Sequence, residues 1–329
     1  MSGFSTTQVI SPITSSIFSR SLGLLLLLAT AGPVQAEEFS AAGFEKVVIV
    51  APAGQVVIGA GAQPLIRTSS VPQISWSARE EGKTLRLTAT TSLGAPRTGA
   101  MPKIEILGGA YALDLHVTEG QVQASKWTRP VLIDLQKGKV TAKENRAGLS
   151  VQVGQGQIVV SDHAGPLRLD LFKGDINVSA LQGNLHLSGH QSDVKLDKVT
   201  GSLHVQLYQG AVDLKGSGGS LQFQTGKASL NANGFKGRIE GEADEGGVTL
   251  GLVNETEAAV KTGSGRVTLD TKNSGSLLVL RSEEGDITGS RTLRAGKDRG
   301  AQVLRGRVKG GDGGRVEVVA TRGNIVVRE

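Results

Sequence analysis

A hydrophobic beat of nine residues runs from 104 to 250, and few folds can satisfy it. Stepping by nine from Ile104 gives Leu113, Val122, Val131, Val140, Leu149, Ile158, Leu167, Ile176 and Leu185. The steps continue through Val194, Leu203, Val212, Leu221, Leu230, Ile239 and Val248. Two places after each stands another apolar or small residue, with Gly241 the one empty slot. Two inward side chains at period two make a short strand with one buried face, and the rest of each unit turns the chain.

Four places after each hit the units fall into two classes. Val117, Leu135, Val153, Leu171, Gly189 and Leu207 mostly extend the apolar face, whereas Gly108, Lys126, Glu144, Asp162, Ala180 and Lys198 end it. The repeat is therefore eighteen residues, a longer strand and a shorter one. Neither buries its apolar face alone, but stacked coils do, which is the logic of a solenoid. Glycines such as Gly138, Gly156, Gly174 and Gly210 open many units, where a small coil needs backbone angles that side chains resist.

Residues 1–36 read as a secretory signal. Arg20 is the only charge, Leu22 to Ala29 is a short apolar core, and Val34-Gln35-Ala36 is a small-residue cleavage site. Removing this segment lowers the formal net charge from +6 to +5, Arg20 being the only charge lost. With no cysteine, the chain has no disulfide, thiolate metal site or cysteine nucleophile. No segment after the signal is apolar and long enough to span a membrane. Residues 37–103 are strand-rich but off the beat and read as an N-terminal β cap with the first strands. Residues 104–329 read as the solenoid. Beyond Val248 the beat slips by one at Ala258 and Val260, and residues 289–314 hold the weakest pattern, an irregular segment.

The strand Phe44-Glu-Lys-Val-Val-Ile-Val50, the following Gly54-Gln-Val-Val-Ile58 and serial units carry a family likeness. The units include Gly174-Asp-Ile-Asn-Val178, Gly183-Asn-Leu-His-Leu187, Gly201-Ser-Leu-His-Val205 and Gly265-Arg-Val-Thr-Leu269. This pattern resembles the bacterial putative-adhesin family of unknown function, whose members are exported β-solenoids. The resemblance implies an adhesin-like scaffold and supplies no catalytic residue.

Few constellations carry chemistry. His186 and His204 lie eighteen apart on an outward column, but Arg168 and Gln222 flank them there, and neither is a good third metal ligand. Asp175 and Asp193 are also eighteen apart, a pairing that would suit a retaining glycosidase, yet each precedes a strand, where an Asp bonds local backbone at a turn. His163 falls at a corner and reads as exposed. No aromatic platform is evident. Segment 289–309 carries Arg291, Arg294, Lys297, Arg299, Arg305, Arg307 and Lys309 against one acid, Asp298. Such a patch suits an anionic envelope lipid or glycan. Without interleaved aromatics it does not suit nucleic acid.

The expected fold is an all-β parallel solenoid, two strands per coil of about eighteen residues, wound right-handed by the bias of parallel crossovers. The expected function is a non-catalytic exported surface or envelope protein without cofactor or metal, binding through its strand faces or the basic segment. The competing reading is a carbohydrate-active β-helix enzyme acting on acidic polysaccharide. Export with cleavage after Ala36 makes Glu37 the first residue of the mature chain. Mass spectrometry of the purified protein checks this, and a cytoplasmic chain retaining Met1 contradicts it.

Overall fold

The computed structural model describes residues 36–69, 71, 74–91, 101–289, 292–308 and 312–329. Residues 1–35 of the expected signal segment, Arg291 and Lys309 therefore lie outside the described residues. The described secondary structure is all strand, and it is a parallel β-solenoid. Nine turns at spacings of eighteen or nineteen residues form its body. In the first six, one strand serves both flat faces, as in Val131–Lys143, Leu149–Ser161 and Leu167–Ser179. From Gly218 onward the strand breaks at the corner, as in Gly218–Thr225 and Ser229–Asn233. Pairing is in register: Leu167 lies on Leu185, Leu185 on Leu203, and Leu203 on Leu221. The late slip is absorbed between turns, so that Ile239 still meets Ala258 and Val248 still meets Val267.

Alternation decides what is inside. In one turn Leu167, Leu169, Leu171, Ile176 and Val178 are all buried, and each such side chain contributes about 1.5–3 kcal/mol by leaving water. The two gaps in the beat are filled by neighbouring turns. A Cβ on Gly241 would stand 2.5 Å from the Phe223 ring, and one on Gly189 would stand 2.7 Å from a Leu207 methyl. Large and small residues on adjacent layers thus keep the interior filled.

The two corners are built differently. At one, Gly120, Gly138, Gly156 and Gly174 stack with φ of 136–157°. A Cβ on Gly138 would lie 1.8 Å from the Gly120 carbonyl oxygen, so the approach of successive backbones excludes any side chain. At the other, Lys126, Glu144, Asp162, Ala180 and Lys198 hold φ of 52–56°, the left-handed region that costs a residue with a Cβ roughly 1–2 kcal/mol. These are the residues at which the shorter strand was expected to end. The left-handed step turns the next side chain inward and creates a buried column of Trp127, Asn145, His163, Leu181, Val199, Ser217 and Phe235. Polar members are mostly bonded: Asn145 Oδ1 accepts the Trp127 N–H at 2.8 Å, and Nδ2 donates to the Ala124 carbonyl. His163, expected to be exposed, is 1% exposed. The left-handed angle of Asp162 is the physical reason, and no periodicity of two reveals it.

Both ends of the stack depart from chain order. Lys46–Gly59 lies in register on Ala112–Ser125, Val47 on Leu113 and Val56 on Val122. Its other side carries Thr84–Thr91 and Lys103–Leu107. Ile104 therefore pairs with Val56 and is two layers from Val122, although their spacing of eighteen makes the two look like adjacent layers. The far end repeats the device. Arg315–Ala320 and Ile325–Arg328 lie on Thr256–Thr262 and Val267–Asn273, while Leu277–Ser282 and Ile287–Thr288 pair with their other side. Antiparallel strands close both ends, Leu65–Ser69 and Ile74–Glu81 at one and Ala301–Arg307 at the other. They satisfy edges that would otherwise recruit further strands.

Two outcomes are expected. Gly138→Ala should destabilise by on the order of 3 kcal/mol, since backbone must move, while Gly43→Ala, also at positive φ but with open space around it, should cost about 1 kcal/mol; urea melts of both variants test the contrast. Among the described residues, neither ring nitrogen of His163 has a hydrogen-bond partner of good geometry. Burial lowers its pKa, the Pro166 backbone opposing in part. Below its unfolded value of about 6.5 the unfolded chain takes a proton that the folded chain refuses. Stability should therefore fall as pH drops below that value, and His163→Leu should flatten the dependence in melts from pH 7.5 to 5.

Candidate functional site

The basic segment is more ordered than its sequence pattern implies. Arg294–Asp298 and Ala301–Arg307 form an antiparallel hairpin laid on Leu277–Ser282. Arg299 and Gly300 turn it with φ of 48° and 89°, both positive as a tight hairpin of matching twist requires. Leu304 stands opposite Leu280 and packs against the core, while Ala301 and Val303 are buried on the other face of the strand. Within the segment expected to be irregular, residues 294–307 form this hairpin on the edge of Leu277–Ser282.

The hairpin displays charge instead of cancelling it. Arg294, Lys297, Arg299, Arg305 and Arg307 are all exposed. Arg294 stands directly opposite Arg305, and like charges across a strand pair cost about 0.2–1 kcal/mol. Among the described residues, no carboxylate pairs with Arg294, Lys297, Arg299 or Arg305. The hairpin's acid, Asp298, is already held by Arg281 at 2.7 Å. Arg307 reaches the Gly275 carbonyl.

The flat faces carry columns of identical register. His186 and His204 stack with ring centroids 5.0 Å apart and planes 7° apart, pointing outward as their neighbours Leu185 and Leu203 point in. Arg168 and Gln222 continue that column. Among the described residues, no cluster of three or more His, Asp or Glu is arranged to hold a metal ion. Asp175 lies in register with Asp193, and Asp193 Oδ1 accepts the Ala211 backbone N–H at 3.1 Å. That carboxylate is thus occupied by backbone, in the next turn up instead of its own.

A further column went unnoticed in the sequence. Phe172, His190 and Tyr208 stack as parallel plates, with centroids 4.9 and 5.0 Å apart and planes within 9°. Phe172 and Tyr208 are 60% and 48% exposed. Their spacing of eighteen is the signal that would have found them, the same one that singled out the two histidines.

No family model matches the chain, and no curated protein matches it. Among solved structures, the chain is similar to a "putative cell adhesion protein" from Clostridium sporogenes, with 10% identity, a TM-score of 0.20 and coverage of 90% of this chain and 99% of that one. It is also similar to a "putative adhesin" from Bacteroides fragilis, with 13% identity, a TM-score of 0.29 and coverage of 89% and 96%.

Proposed function

We propose that this protein is a non-catalytic scaffold exported to the cell envelope or surface, where its basic hairpin holds an anionic lipid headgroup or glycan. The observation that carries this reading is Arg294 opposite Arg305, with no carboxylate paired to either among the described residues. A protein that needed this hairpin only to close a stack would gain by placing an acid there. An anion bridging the two guanidiniums converts a repulsive pair into charge-assisted hydrogen bonds. Lys297, Arg299 and Arg307 widen the field around it, and Arg291 and Lys309 belong to the same basic stretch. The contacts are exposed, so salt at physiological strength weakens them strongly.

The competing enzymatic reading rests on Asp175 in register with Asp193. It needs a carboxylate free to move a proton, and Asp193 already accepts a backbone N–H. Turnover of a polysaccharide that disappears in Asp175→Asn would establish it instead.

The test of the binding reading replaces Arg294, Lys297, Arg299 and Arg305 by Ser. Retention of wild type and variant is measured on anionic liposomes, neutral liposomes and lipopolysaccharide at low and moderate salt. Wild type should be retained on an anionic surface at low salt, and the variant should lose at least tenfold. Equal retention of the two proteins overturns the assignment. The two anionic surfaces separate lipid from glycan as the source of the anion.

A further inference from the structure

The aromatic column ends in an open face. Phe172 stacks on His190 on one side, and the position one layer beyond it on the other is Gly154. Gln136 follows one layer further. At the observed rung of about 5 Å, Gln136 and Phe172 stand two layers, roughly 10 Å, apart, and the position between them in the column, Gly154, carries no side chain. The gap is fixed by the main chain, since a Cβ on Gly154 would lie 2.6 Å from the Gln136 carbonyl oxygen. At the opposite end of the column the corresponding space is taken, because the Tyr208 ring lies within 3.0 Å of where a Gly226 Cβ would be.

The space over Gly154 belongs to a depression of about 600 Å³, within the range of small-ligand sites. Asp134, Gln136, Gln152, Asp170 and Ser188 line it beside Phe172. Asp134, Gln152 and Asp170 are in register on consecutive layers, so they present acceptors and one amide at steps of a single rung. Asp170 Oδ2 accepts from Arg168 Nε at 2.9 Å, and Asp134 Oδ2 lies 3.4 Å from His116 Nδ1. Each acid is thereby oriented with its other oxygen free of these partners. A flat ring seated at van der Waals distance from Phe172, about 3.5–4.0 Å, would have its rim within reach of this polar row.

We propose that Phe172 and the depression over Gly154 bind a terminal neutral pyranose. The axial C–H groups of a sugar ring pack on an aromatic face, and its rim hydroxyls donate to carboxylates and amides. A planar nucleotide would also stack, but its phosphates would meet Asp134 and Asp170. Asp134, which has no lysine or arginine partner among the described residues, disfavours an acidic sugar. The site is separate from the basic hairpin, lies in the middle turns and takes the opposite class of glycan. Its success or failure is therefore independent of the anion reading.

Saturation-transfer NMR with malto-, cello-, xylo- and chito-tetraose, and with a uronate tetrasaccharide as the acidic counterpart, tests the site on the full mature chain. At least one neutral tetrasaccharide should bind. Its affinity should fall at least tenfold in Phe172→Ala, fall also in Asp170→Asn, survive in Phe172→Tyr and be untouched by the four-residue hairpin variant. Thermal melts confirm that the variants fold, as expected for a side chain already 60% exposed. The proposal is overturned if no neutral sugar binds, if Phe172→Ala binds as well as wild type, or if the uronate is preferred.

Discussion

The contact of one backbone carbonyl with the glycine a layer above sets the rest of this structure. At the corner of Gly120, Gly138, Gly156 and Gly174 the main chain passes so close to itself that only hydrogen fits. Parallel hydrogen bonding fixes the rise per layer, and the corner fixes where each layer may sit on the last. Together they leave no freedom of register. Every side chain then stands on the residue one coil away, and the interior becomes a set of columns that must each be filled. Leu207 beside Gly189 and Phe223 beside Gly241 show the filling done across layers. Ser192 is the exception that shows the same constraint: where the corner carries a side chain, it turns inward, is 3% exposed and donates to the Leu171 carbonyl.

The same rigidity makes the surface periodic. A residue type repeated at eighteen becomes a ladder with rings or charges about 5 Å apart, whether or not the ladder does anything. His186 on His204 is one case, and the aromatic plates are another. Interest lies where a ladder stops. Gly154 interrupts the aromatic column and exposes a ring face. The hairpin interrupts the parallel stacking and sets two arginines opposite each other.

Much of this was legible because the repeat is short and strict. Leu203 inward and His204 outward follow from alternation alone, and the break at Ala258 was visible as a one-residue slip. What escaped has physical causes. The inward column from Trp127 to Phe235 depends on a left-handed residue before it, and Lys126, Glu144 and Lys198 are not types that announce such an angle. Ile104 and Leu113 sit nine apart in sequence, but a count cannot show that Lys46–Gly59 is slipped between their layers. The hairpin strand shows only Ala301, Val303 and Leu304 as apolar residues, too little apolar signal among so many charges. The aromatic column was hidden by scarcity, since three rings matter only when read at the full repeat.

The tucked turns at the two ends change how the stack would answer a pull. An ordinary solenoid loaded through its first or last coil peels, breaking one pair of hydrogen bonds after another. Here the strand Lys46–Gly59 is gripped by Ala112–Ser125 on one side and by Thr84–Thr91 and Lys103–Leu107 on the other. Arg315–Ala320 is gripped in the same way by Thr256–Thr262 and Leu277–Ser282. Tension entering along either strand is shared by two ladders in shear, so many bonds must yield together. The outer layer at the first of these ends also holds Ala36–Ser40, antiparallel to Leu65–Ser69, so a pull entering ahead of it must first part that pair. The body is thus clamped by two ladders near each end.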